Sequence, residues 1–205
     1  MARKTKTTTK SSPRDTLIDA TMALSASEGW QDLTMATIAA QAGLTLPASL
    51  QVFSGKGRIL TAYFRRVDEQ VLAGCSAKLD LNESPRDRLF DCLMRRFDVL
   101  QPHKPALRMI LRDLPRDPLA GLCQLGRLHG SMMLMLEAAG ISSNSWTGHA
   151  KSKGLTAVYA NALRTWLNDD SADLAPTMAA LDRGLMQAEK LAQMLWPSIN
   201  ENTSD

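Results

Sequence analysis

Two short helical patterns separated by a tight turn, between residues 33 and 53, restrict the folds open to this chain more than any other feature. Thr34 is a helix-capping residue type, and Met35, Ile38 and Ala39 follow at inward-facing spacings over residues 35–42. Gly43 ends that stretch, because glycine accepts the left-handed backbone that closes a helix. Thr45 caps a second stretch running to about Val52, with Pro47 in the first turn, where its missing amide is not needed. Upstream, Ser12 and Pro13 open a helix over residues 13–28 that stops at Gly29. Leu17, Ile18, Thr21, Leu24 and Ser25 share one of its faces, so the apolar stripe is thinned by two hydroxyls.

The rest of the chain repeats helical punctuation. A long helix is expected over 57–77, with Leu60, Tyr63, Phe64, Val67 and Val71 inward. Ser84-Pro85 opens another that buries Leu89, Phe90, Leu93, Phe97 and Leu100 and closes at Gln101-Pro102. Further helices are expected over 106–114, 119–139, 146–167 and 175–195, the last with a seam of Leu174, Met178, Leu181, Leu185, Ala188, Ala192 and Leu195. No segment alternates with period two for long enough to argue a strand, and no internal repeat is present. The expected fold is all-α, with an N-terminal helix-turn-helix unit of three helices followed by a C-terminal helical bundle. The division read from the sequence is a flexible basic arm over 1–13, a helix-turn-helix domain over 14–56, an effector-binding and dimerisation domain over 57–197 and a disordered tail over 198–205.

Composition excludes several classes. Hydrophobic residues make up 44% and charged residues 22% of 205, near the averages of soluble globular proteins, so neither disorder nor a fibrous fold is expected. The N-terminus is polar and basic with no apolar run behind it, which implies neither a secretion signal nor integral membrane association. Cys75, Cys92 and Cys123 are odd in number and widely spaced, which fits reduced thiols in a cytoplasmic protein. His103, His129 and His149 lack the pairing a metal site needs, and no phosphate loop, nucleophile elbow or paired-acid motif occurs. Enzymatic activity, a cofactor and a metal are therefore not expected; Asp169-Asp170 reads as a solvated linker.

Charge is uneven although the net value is only +3: residues 1–66 hold nine Lys/Arg against four Asp/Glu. Arg3, Lys4, Lys6 and Lys10 form a cationic arm that suits phosphates, which bind by counterion release, and equally suits a solubilising tail. A sharp turn between the second and third helices lets the third enter a major groove of double-stranded DNA. Its outward candidates are Thr45, Leu46, Ala48, Ser49 and Gln51, with Thr34, Thr37 and Lys56 as phosphate clamps. Phe97, Met109, Met132, Met135 and Trp166 are candidates for an apolar effector pocket; packing of a bundle core is the alternative use for them. The stripe Leu155, Val158, Tyr159, Ala162 and Trp166, with the seam of the last helix, suits either a four-helix homodimer interface or packing within one subunit.

The run from Thr34 through Ile38-Ala39 and Ala42-Gly43 to Thr45, followed by Phe53 and Lys56, resembles the signature of TetR-family transcriptional regulators over about 50 residues. Departures fall at Pro47, where a small flexible residue is usual, at Leu50, where a tyrosine is usual, and at Ser25 in place of a phenylalanine. The resemblance implies a repressor that binds DNA as a homodimer through its last two helices and is released by a small apolar or lipid-like effector. A second resemblance, carried by Gly29-Trp30, the stretch 53–57, the region 102–111 and Leu181-Asp182-Arg183, is to the lipid-binding accessory proteins of coenzyme Q biosynthesis. These share the architecture without the DNA binding.

Overall fold

The structure is a computed structural model, described here for residues 12–76, 83–116, 118–143 and 146–195. Among these, all regular structure is helical: α1 (Pro13–Glu28), α2 (Met35–Gln41), α3 (Leu46–Val52), α4 (Lys56–Ser76), α5 (Pro85–Leu100), α6 (Lys104–Asp113), α7 (Pro118–Ala138), α8 (Trp146–Leu167) and α9 (Ala175–Leu195). Single 3-10 turns at Gln101–His103 and Leu114–Arg116 flank α6. Arg3, Lys4, Lys6 and Lys10 of the arm, and the tail over 198–205, lie outside the described residues. No helix among the described residues is long and apolar enough to cross a membrane.

Capping sets the helix starts. Ser12 and Ser84 accept the amides of Asp15 and Asp87, each followed by a proline at the first helical position. The chain forms two compact units. The first comprises residues 1–64 and 105–117, the second residues 65–104 and 118–205. These compact units divide at other residues than the sequence reading, which places its boundary after residue 56.

The first unit is built on α1, whose Leu17, Ile18, Met22 and Leu24 are buried. Thr21 and Ser25 are buried as well. Each hydroxyl donates to the carbonyl one turn back, Leu17 and Thr21, at 2.7 Å, so the two polar positions cost the core no unpaired group. Ile38 and Ala39 of α2, Ile59, Leu60 and Tyr63 of α4, and Ala106, Leu107 and Ile110 of α6 complete the core. Met35 and Phe64 are only half-buried.

The second unit centres on an aromatic stack, with Phe97 5.1 Å from Tyr159 and 5.6 Å from Trp166, centroid to centroid. Trp166 Nε1 donates to Gln101 Oε1 at 2.9 Å, satisfying its one polar atom. Here α8 and α9 pack closely: a Cβ at Gly184 would lie 2.6 Å from Val158 Cγ1, so glycine is required for that approach. A buried ion pair of Arg96 with Asp68 joins α5 to α4, and Ser131 of α7 donates to the same carboxylate at 2.7 Å. Burial pushes the Tyr159 phenol beside it above its ordinary value.

Asp169, read from the sequence as part of a solvated linker, is instead buried. Its carboxylate accepts from Thr177 N and Oγ1 and from Ser171 N and Oγ, while Lys104 Nζ donates to its carbonyl. Burial alone would raise this carboxyl, but the Ser171 and Thr177 hydrogen bonds outweigh it and hold it down at about 2. Asp170 beside it is exposed, as expected.

Candidate functional site

The turn joining α2 to α3 is a Schellman closure. Gly43, at φ 68°, sits in the left-handed region; Leu44 N–H donates to Ala39 O at 2.9 Å and Gly43 N–H to Ala40 O at 3.1 Å. Two residues later Thr45 Oγ1 accepts Ala48 N–H at 3.3 Å and starts α3. At the other end of α2, Thr34 and Thr37 form a reciprocal capping box: Thr37 N–H donates to Thr34 Oγ1 at 3.2 Å and Thr34 N–H to Thr37 Oγ1 at 3.1 Å. Both residues are exposed, as phosphate clamps must be, but their hydroxyls are engaged in the cap.

Helix α3 packs against both α1 and α2. One of its residues, Ser49, is 0% exposed and donates to Thr45 O at 3.0 Å. Ser49 therefore faces the core and cannot read a base, which corrects its placement among the outward candidates. Ala48 is half-buried. Thr45, Leu46 and Gln51 are exposed, and Pro47, Leu50 and Val52 join them. Leu46 and Leu50 keep 40% and 44% of their surface accessible, one turn apart on the same face. Leu50 was noticed in the sequence only as a departure from a pattern. Its exposure was hidden because seven residues make fewer than two helical turns, too few for apolar spacing to fix which side faces in.

The Lys56 ammonium donates to Trp30 O at 2.9 Å and Gln31 O at 2.8 Å and stands 5.2 Å from the Trp30 ring centroid, so it also fixes the turn after α1. Asp113, at the end of α6, holds the same turn from its donor side: Trp30 and Gln31 N–H groups donate to Oδ2 at 3.2 and 3.3 Å. Burial opposes ionisation there, yet these bonds and the Arg112 charge bring the carboxyl below its ordinary range. Nothing in the local sequence marks this role of Asp113, since Trp30 and Gln31 lie over 80 residues away.

Among the effector candidates, Phe97, Met132, Met135 and Trp166 are fully buried in the core of the second unit, and Met109 belongs to the first unit. The second unit instead holds a cavity of about 820 Å³ where α5 begins, α7 ends and α9 ends. Leu89, Leu136, Leu155, Leu185 and Ala188 give it apolar walls, with Arg86, Lys151 and Glu189 at polar positions. Arg86 is held by Asp182 at 2.5 Å. The volume lies in the range of small-molecule sites, several hundred to about a thousand Å³. Cys75 and Cys92 are buried, and burial together with the neighbouring Cys75 pushes the Cys92 thiol up to about 12, which fits packing rather than reactivity. No cluster of three or more metal-ligating side chains occurs among the described residues.

No protein-family model and no curated protein matches the sequence. Solved structures do match. A TetR transcriptional regulator from Nitrosomonas europaea superposes with a TM-score of 0.70 at 22% identity, covering 86% of this chain and 98% of the other. A TetR regulator from Rhodococcus sp. RHA1 gives 0.63 at 17% identity, over 86% and 95% of the two chains. Thermus thermophilus FadR, a TetR-family transcriptional repressor solved in complex with lauroyl-CoA, gives 0.60 at 16% identity, over 86% and 93%. These neighbours are transcriptional regulators, and nothing among them favours the lipid-accessory resemblance. The chain has the fold of the TetR-family transcriptional regulators.

Proposed function

We propose that the protein is a cytoplasmic DNA-binding transcriptional repressor of the TetR type, in which α3 reads the major groove and a small apolar molecule in the second unit sets the affinity for DNA. The observation that carries this is the exposed face of α3. It is a short helix braced from behind by buried Ser49 and closed at the turn by Gly43, with Leu46, Leu50 and Gln51 outward. Glutamine side chains pair with adenine and apolar groups with the thymine methyl, so the face has groups that discriminate bases. The basic arm with Arg3, Lys4, Lys6 and Lys10 adds sequence-independent attraction to phosphates.

The cavity walled by Leu89, Leu136, Leu155 and Leu185 suits an apolar effector. The complex of the structurally similar FadR with lauroyl-CoA supports a ligand that carries an apolar chain. Such a molecule weakens DNA binding only if it prefers the conformation that does not bind DNA; occupancy alone changes nothing. A homodimer through α8 and α9, the latter leaving Met178, Met186, Leu191 and Met194 exposed, would supply the two readers a pseudo-palindromic site needs.

The test is a mobility-shift titration of the full chain against DNA flanking its own coding region, at two salt concentrations, with Gln51→Ala alongside. The reading requires salt-sensitive binding by the wild type and weaker binding by the variant. Binding to phosphatidylcholine–phosphatidylglycerol vesicles with no DNA affinity at either salt concentration would replace it with the lipid-accessory reading.

A further inference from the structure

We propose that α3 selects A·T base pairs, packing Leu46 and Leu50 against thymine 5-methyl groups and using Gln51 as its hydrogen-bonding reader of adenine; the proposal rests on the DNA-binding reading above.

Three observations combine. First, residues 33–55 contain no Asp, Glu, Lys or Arg, so the whole span from the start of α2 past the end of α3 is uncharged. Lys56, the next cation, is committed to the carbonyls of Trp30 and Gln31. Second, the polar side chains of the reader are nearly all consumed internally. Ser49 is buried and donates to Thr45 O, and Thr45 Oγ1 accepts the amide of Ala48, whereas Gln51 is exposed. Third, the remaining exposed surface of α3 is apolar: Leu46, Pro47, Leu50 and Val52.

The major groove presents few features that such a face can use. Guanine is read by paired hydrogen bonds from Arg or Lys, and cytosine by an acid accepting from its amino group; α3 has neither. Adenine N6 and N7 match the two-ended amide of glutamine, and the thymine methyl is the apolar group on a base edge in that groove. Leu46 and Leu50 stand one helical turn apart, about 5.4 Å, against a base-pair rise of about 3.4 Å, so the pair spans one to two base steps. Leucines exposed on the free protein thus become covered where successive thymines line the groove. The absence of acids from residue 33 to 55 leaves nothing on this face to repel the phosphates on either side.

Selection by the full chain from a pool of random-sequence duplexes tests this, followed by resynthesis of the winners with deoxyuridine in place of thymidine. Deoxyuridine keeps the base pairing and deletes only the methyl. The expected half-sites carry A·T pairs at the positions α3 covers. Deoxyuridine should weaken wild-type binding roughly three- to fivefold for each methyl removed, the scale set by burying one methyl-sized group. The doubly substituted Leu46→Ser, Leu50→Ser chain should bind thymidine and deoxyuridine duplexes alike. Both leucines are exposed, so neither change threatens folding. Selected half-sites with G·C pairs at those positions, or wild-type binding indifferent to deoxyuridine, would overturn the proposal and leave the regulator reading standing. A pool that shows no enrichment would overturn the regulator reading and this proposal with it.

Discussion

Ser49 and Gln51 stand two residues apart on α3 and serve opposite purposes. The first is sealed against the body of the unit and the second is exposed. Substitutions should separate them cleanly. Ser49→Leu forces extra volume into a packed site and should cost about 1–3 kcal/mol of stability, measured by urea unfolding. Gln51→Ala should leave the unfolding midpoint unchanged while weakening binding to a selected duplex by about 1–3 kcal/mol, read by fluorescence anisotropy. Lys56 belongs with Ser49 in this respect. Its two charge-assisted bonds hold the Trp30-Gln31 turn, so Lys56→Met should lower stability by about 1.5–3 kcal/mol in the same urea experiment, with any loss of DNA binding following from that.

Among the elements, the α2–α3 turn depends on one backbone conformation. Gly43 has open space around a hypothetical Cβ, so Gly43→Ala meets no clash and isolates the cost of the left-handed backbone; about 1–3 kcal/mol is expected from thermal unfolding. At the α8–α9 junction, the Asp169 carboxyl is held at about 2, below its ordinary value. Its contribution is fully present above that ordinary value and is lost as pH falls from about 4 through about 2. Urea midpoints of the wild type should therefore drop over that window, and Asp169→Asn should show a shallower drop. Much of this level was legible in the chain itself. Ser12-Pro13, Ser84-Pro85, Thr34, Thr45, Gly29 and Gly43 mark helix ends by chemistry that acts within four residues. What escaped depends on distant partners: Asp113 meets Trp30, Arg96 meets Asp68 and Asp169 meets Lys104, and no spacing rule reports a pairing across 28 to 83 residues.

The whole molecule divides between a unit that carries α3 and a unit that holds the cavity, with α4 and α6 each contributing residues to both. Bundle composition identified the second unit's core but not its cavity. Phe97, Met132, Met135 and Trp166 share helical spacing with wall residues such as Leu136 and Leu155, and periodicity cannot tell a filled interior from a hollow one. Gly154 offers a way to test that hollow. It lines the cavity, and an added side chain there meets nothing within 4 Å, so Gly154→Leu should fill space without disturbing α8 and should blunt any effector response while DNA binding persists. The claim on which all of this depends is that the outer face of α3 meets DNA, and Leu50→Asp examines it most directly, placing one negative charge on that face at an exposed position. Fluorescence anisotropy with a selected duplex should show a loss of affinity of about a hundredfold, the scale of like charges brought together at an interface, at an unchanged unfolding midpoint. Equal affinity for the two chains would show that α3 does not enter the groove.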